Sequence, residues 1–149
     1  MSIDNKIKSS FNSTQQKAVI NTLLTAGFLS AQQSKFMSNY DLSMAQFNIL
    51  RILRGAGEAI TISTVRERMI EKSPNTTRLL DKLLEKNFIC RNSCKEDKRQ
   101  SYVEITDSGM DILRQIDNSD FSKLIEPPNF SESDAEQLSQ LLDKLRDSY

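Results

Sequence analysis

The chain contains no histidine and no tryptophan, and only two cysteines, Cys90 and Cys94. Without histidine a zinc site would need thiolates or carboxylates alone, and a histidine-activated nucleophile is ruled out. Glycine is scarce, with four residues in all, and no glycine-rich phosphate loop occurs. No acid pair stands in an obvious pocket either, so no catalytic residue, metal site or cofactor is expected and the chain does not read as an enzyme. No apolar run approaches the roughly 20 residues that span a bilayer. The first fourteen residues are polar and lack the apolar centre of a signal peptide, so a cytoplasmic protein without membrane contact is expected. Four residues of regular strand cover about 13 Å, whereas a disulfide needs Cα atoms within about 7 Å. Cys90 and Cys94 are therefore read as ordinary thiols of a reducing compartment.

Net charge is absent too: 20 basic and 20 acidic side chains cancel over 149 residues. The cancellation hides a gradient. Residues 43–109 hold 12 Lys/Arg against 9 Asp/Glu, and residues 110–149 hold 4 against 9. The middle of the chain is mildly basic, a sign that suits a polyanionic partner.

What is present is helical periodicity. Val19, Ile20, Leu23, Leu24, Phe28, Leu29, Ala31 and Phe36 predict one long helix from Ser13 to Asn39. Residues 1–12 are expected to be frayed. Ser43-Met44-Ala45-Gln46 is a capping box for a helix carrying Phe47, Leu50 and Leu53, with Gly55 and Gly57 as its stop. Ala59–Thr61 reads as a short extended segment, and Thr61 or Ser63 as the cap of a helix burying Ile62, Val65 and Met69. Thr106-Asp107 opens a further helix, with Ile112, Leu113, Ile116 and Leu124 inward, expected to run to Pro127-Pro128. Ser131 caps a last helix, with Leu138, Leu141, Leu142 and Leu145 along one stripe.

Residues 73–109 are the most informative stretch. Ser73 is a good N-cap and Pro74 suits the first helical position. Leu79, Leu80, Leu83 and Leu84 follow at helical spacing, and Asn87 can take the left-handed conformation that closes the helix. Strand-like Phe88–Ser93 and Gln100–Ile105 then flank a charged tip, Cys94–Arg99. A capped helix followed by a charged hairpin is the order of a winged helix-turn-helix, with one helix for the major groove of DNA and a wing beside it. The expected fold is mainly α with a small β-hairpin wing, as a single domain over 1–149. The outer helices carry more apolar surface than so small a centre can bury. Packing on a second copy is their natural use, with Leu138, Leu141, Leu142 and Leu145 at that interface.

The arrangement resembles the MarR (multiple-antibiotic-resistance regulator) family over roughly residues 15–146. The resemblance is carried by Leu42-Ser43-Met44-Ala45-Gln46-Phe47, by Ser73–Leu84, and by Leu84-Glu85-Lys86-Asn87-Phe88-Ile89-Cys90-Arg91. Asp97-Lys98-Arg99 and Ile105-Thr106-Asp107-Ser108-Gly109 complete it. The family usually has glycine at the position of Asn87, whose side chain tolerates the same backbone conformation. The resemblance implies a homodimer that binds a pseudo-palindromic operator in double-stranded DNA and represses transcription. Residues 13–42 and 110–149 would be the N- and C-terminal dimerisation helices, and 43–109 the DNA-binding lobe. The reading helix would occupy 73–87 and the wing 94–101. An effector crevice between lobe and dimerisation helices is implied as well, for a small amphipathic ligand.

Within that frame Asn75, Thr76 and Arg78 are the candidates for base edges: Asn pairs with adenine, Thr contacts the thymine methyl, and Arg forks onto guanine. Pro74 lies in the same first turn of the reading helix, and Ser73, Thr77 and Lys82 are expected on phosphates. Lys95, Asp97, Lys98 and Arg99 sit on the wing tip. By resemblance Arg99 would enter the minor groove, held by Asp97 through a charge-assisted hydrogen bond. Phe28, Phe36, Tyr40 and Phe47 gather near the junction of the long helix and the lobe; core packing is their plain reading, and the effector crevice is the one the resemblance adds. A winged-helix module that binds other proteins without DNA specificity is the alternative function, and the absence of net charge fits it.

Overall fold

The computed structural model describes residues 2–7, 10–69, 75–93 and 101–149. Short helix α1 (Ile3–Lys6) precedes the 24-residue α2 (Thr14–Met37), which ends in a single 3₁₀ turn, Ser38–Tyr40. The lobe follows as α3 (Met44–Ala56), β1 (Ile60–Thr61), α4 (Ile62–Arg68), α5 (Thr76–Glu85), β2 (Ile89–Ser93) and β3 (Ser101–Ile105). α6 (Asp107–Asp117), α7 (Ser122–Ile125) and α8 (Glu132–Arg146) complete the chain. The sheet is antiparallel, in the order β1-β3-β2, with Ile60 and Arg91 both opposite Val103. The mainly helical winged architecture expected from the sequence is the one observed.

Local chemistry sets the helix ends. The Ser43 hydroxyl accepts from the Gln46 amide at 3.1 Å, and the Gln46 side chain accepts from the Ser43 amide at 2.9 Å, closing the capping box on α3. Gly57, with φ 66°, stops that helix; Gly55 lies inside it. The Thr61 hydroxyl, rather than Ser63, caps α4 through the Thr64 amide. Asn87 adopts φ 57°, the left-handed closure expected of it.

One apolar core lies under the sheet. Phe47, Ile49, Leu50 and Leu53 of α3 meet Val65, Leu80, Leu83, Val103, Leu113 and Ile116 there, all of them buried. α3 is the hub, touching α4, α5, β3 and α6. Among the outer helices α6 supplies Leu113 and Ile116 to it, while α2 and α8 contribute little. α2 buries Met37 alone, and α8 buries no residue.

Two expectations need correction. The first residues are not wholly frayed: α1 folds back with Ile3 buried, and Asp4 pairs with Lys17 at 2.7 Å. The helix after Thr106 does not run to Pro127-Pro128 but breaks at Asn118. The Ser119 hydroxyl donates to the Ile116 carbonyl at 2.5 Å and accepts from the Phe121 amide, diverting the backbone from the helical ladder. The break turns Phe121 inward, edge-on to Phe47 at 5.1 Å and 5.4 Å from Phe36.

The approach of α6 to the end of α5 depends on Gly109, which is buried. A Cβ there would stand 2.2 Å from the Phe88 carbonyl oxygen and 2.7 Å from Ile105 Cγ1. Gly109→Ala must push backbone apart, so a loss of at least about 1–3 kcal/mol is expected. Urea denaturation of the purified variant measures it; wild-type stability would contradict the packing described.

Candidate nucleic-acid interface

α5 presents two faces because its apolar residues recur at helical spacing. Leu80 and Leu83 are buried. Asn75, Arg78 and Lys82, spaced three and four apart, fall on one side and are exposed together with Thr77. The structure brings these four polar candidates to one surface. Thr76 is a correction. It is buried to 1% exposure, and its hydroxyl lies 3.8 Å from Met69 Sδ. It follows Asn75 by about 100° around the helix, enough to turn it from the outer face toward α4. Its side chain therefore packs the start of α5 instead of facing a base.

The helix described begins at Thr76, with Asn75 at its N-cap. Ser73 and Pro74, expected to start it, lie outside the described residues. So do Lys95, Asp97, Lys98 and Arg99 at the wing tip, and Cys94. β2 and β3 pair antiparallel, with Ser93 opposite Ser101, so the two strands expected on either side of the charged tip are formed. Cys90 is a half-buried free thiol opposite Glu104.

Arg66 was not singled out by sequence reasoning. It projects from α4 and donates to the Thr77 hydroxyl at 3.0 Å. Its signal was available: a basic residue near the end of the helix that precedes the capped one in sequence. Arg91 of β2 approaches Asp81 of α5 at 3.9 Å, linking wing and reading helix loosely.

The far end of α5 is tied to the turn after α2 by a largely exposed ion pair. Lys86 Nζ pairs with the Asp41 carboxylate at 2.8 Å and also donates to the Asp41 carbonyl. Asp41 has φ 53° and closes the 3₁₀ turn after α2, so this clasp joins the reading helix to the end of the long helix. The hydrogen bond from Lys86, reinforced by its charge, holds the Asp41 carboxyl below the usual carboxylate range.

The four aromatic residues expected near an effector crevice do not line one cavity. Phe47 is core. Phe36 stacks with Tyr40 at 5.7 Å and lines an open groove of about 320 Å³ with Gln32, Lys35 and Leu124. Phe28 lies eight residues earlier on α2, about 12 Å along the axis. It sits under Lys6 in a separate groove with Ile3 and Leu24. Leu138 and Leu141 of α8 are exposed, Leu141 to 64%, while Leu142 and Leu145 are half-buried; on α2, Leu23 reaches 67%. Among the described residues no helix is long and apolar enough to cross a membrane, and no group of acid or thiol side chains suits a metal.

Comparison with known proteins agrees with this geometry. A model described as "MarR family" matches residues 42–101. An uncharacterized HTH-type transcriptional regulator of Bacillus subtilis, YfiV, is 34% identical over 76 residues, covering 51% of this chain and 47% of that protein. A second, YdgG of the same organism, is 32% identical over 104 residues, covering 68% of this chain and 66% of that protein. The chain thus spans between about half and two thirds of the length of these relatives. The fold matches that of a mutant MarR from E. coli complexed with operator DNA, with TM-score 0.73 and 23% identity over 97% of this chain and 99% of that one.

The Lys86 clasp gives a titration test. Because the folded state lowers the Asp41 pKa, the clasp stabilises above the unfolded carboxyl's pKa, and this stability is lost as pH falls through the folded value. In Lys86→Met the Asp41 carboxyl, followed by NMR, is expected to titrate at higher pH than in the wild type. An unchanged titration would show that the clasp does not form.

Proposed function

The chain belongs to the MarR family of transcription regulators, and from that premise we propose that it acts as a homodimer binding a pseudo-palindromic operator, most simply as a repressor. The observation that carries the reading is the outer face of α5, where Asn75, Arg78 and Lys82 stand exposed beside Thr77 and Arg66. Asn75 and Arg78 face base edges; Thr77, Arg66 and Lys82 meet phosphates. Ser73 and Pro74, next to the start of α5 in sequence, are proposed as further DNA contacts, as are Lys95, Asp97, Lys98 and Arg99 between β2 and β3, with Arg99 directed to the minor groove. Residues 43–109 form the DNA-binding lobe in this reading.

Residues 13–42 and 110–149 supply dimerisation. The supporting observation is the apolar surface left open on a single chain: Leu23, Leu24, Phe28 and Leu29 on α2, and Leu138 and Leu141 on α8. Leu142 and Leu145 continue that stripe. The dimer's task is geometric, since two reading helices about 34 Å apart reach successive major grooves. A ligand seated in the Phe36 groove, amphipathic to match Phe36, Leu124 and Lys35, lowers DNA affinity if it favours another spacing.

Selection of binding sites from a random duplex pool tests the reading. An enriched inverted repeat with affinity falling steeply as salt rises is expected. Arg78→Ala should cost about 1–3 kcal/mol and relax the preference at one position of each half-site. Arg99→Ala should weaken binding with the dimer intact by light scattering. A folded monomer refutes the dimer, and a folded dimer with no enriched sequence leaves the winged helix as a protein-binding module.

A further inference from the structure

A cleft of about 270 Å³ opens between α3 and the end of α4, away from the Phe36 groove. Asn48, Arg51 and Ile52 line it from α3, and Arg68 from α4. Asn48, Arg51 and Ile52 share one helix face because they are three and four residues apart. Arg51 is steadied by the Phe47 ring, 5.7 Å from its guanidinium carbon. Arg66 forms part of the proposed DNA face, but Arg68 stands about 200° from it around α4 and turns to the opposite flank.

Two guanidinium groups on one cleft repel each other unless an anion lies between them. None of the ion pairs among the described residues involves Arg51 or Arg68. Guanidinium forks match the oxygens of carboxylate and phosphate. The Asn48 amide adds a donor, and Ile52 offers a short apolar wall. The volume lies just below the roughly 300–1,000 Å³ of pockets for larger ligands, which favours a small molecule.

We propose that this cleft binds a small oxyanion, the carboxylate or phosphate group of a low-molecular-weight compound, clamped between Arg51 and Arg68 with Asn48 as a third contact. The site acts without DNA and does not depend on the regulator reading. Bound there, the anion ties α4 to α3 on the flank away from Thr77.

The test is NMR titration of the ¹⁵N-labelled full chain, without DNA, with sodium propionate and with inorganic phosphate at constant ionic strength. Side-chain signals of Arg51, Arg68 and Asn48 are expected to shift and saturate. Arg51→Gln and Arg68→Gln should each weaken binding about tenfold, while Arg114→Gln, remote on α6, should not. Arg51→Lys and Arg68→Lys keep the charge without the fork and should also bind more weakly, which separates recognition from misfolding. Tighter binding of propionate assigns an organic carboxylate, and tighter binding of phosphate a phosphate-bearing compound. Shifts that never saturate, or that survive both glutamine substitutions, overturn the proposal. In a separate titration with duplex DNA, a response of these signals to DNA and to neither small anion also overturns it, because the arginines would then serve the phosphate backbone.

Discussion

The contact between Gly109 and the Phe88 carbonyl fixes the geometry on which the rest depends. At that point the end of α5, the start of β2, the end of β3 and the first turn of α6 converge. The Phe88 carbonyl accepts from the Thr106 amide at 3.1 Å, while the Thr106 hydroxyl donates to the Asn87 carbonyl at 2.6 Å and caps α6 through the Gly109 amide. Only a residue without a side chain lets α6 close on this junction. Left-handed Asn87 then lets the Phe88 amide return to the Leu83 carbonyl at 3.0 Å. α5, the β2–β3 pair and α6 are thereby set by one hydrogen-bonded corner.

The lobe is joined to the outer helices by different means. Phe121 sits between Phe47 of α3 and Phe36 of α2, with ring centroids 5.1 and 5.4 Å away. Arg54 of α3 reaches Asp117 of α6 at 2.5 Å, and Lys86 clasps Asp41. The ion pairs are partly exposed, and pairs of that kind contribute little to stability. Apolar packing carries the attachment instead: the aromatic stack is joined by Met37 of α2 and by Leu113 and Ile116 of α6, all three buried in the lobe's own core. α6 is thereby continuous with the lobe, whereas α8 buries no residue against it.

How much of this was legible in the sequence follows from the range of the interactions involved. Local signals read correctly: the Ser43 capping box, the Thr61 and Thr106 caps, the left-handed Asn87 and both strands flanking the wing depend on neighbours within a few residues. The break at Asn118 did not read: Ser119 diverts the backbone there, but the turn is held by Phe121 packing on Phe36 and Phe47, distant in sequence. Thr76 was misplaced for a related reason. Composition marks it as polar and groove-facing, but the side of α5 it occupies is set by packing on Met69 of another helix. Arg66 was overlooked because its value lies in reaching Thr77, eleven residues on. Of the four aromatic residues, Phe47 is core, the plain reading of it, and Phe28 and Phe36 line separate grooves because eight residues of helix part them.

The balanced charge of the chain bears on DNA binding less than it first suggests. At physiological salt the screening length is about 8 Å, so a phosphate responds to the charges nearest to it and little to the molecular total. The acidic excess belongs to residues 110–149, and the basic excess to residues 43–109. Within the lobe, Arg66, Arg78 and Lys82 gather around one exposed face, while Asp81 of the same helix is drawn toward Arg91. Such a molecule is a dipole more than a neutral body. In the proposed reading, such a field would orient the outer face of α5 toward a polyanion during approach. Neutrality of the whole would then weaken non-specific attachment and leave recognition to the side chains proposed for base edges.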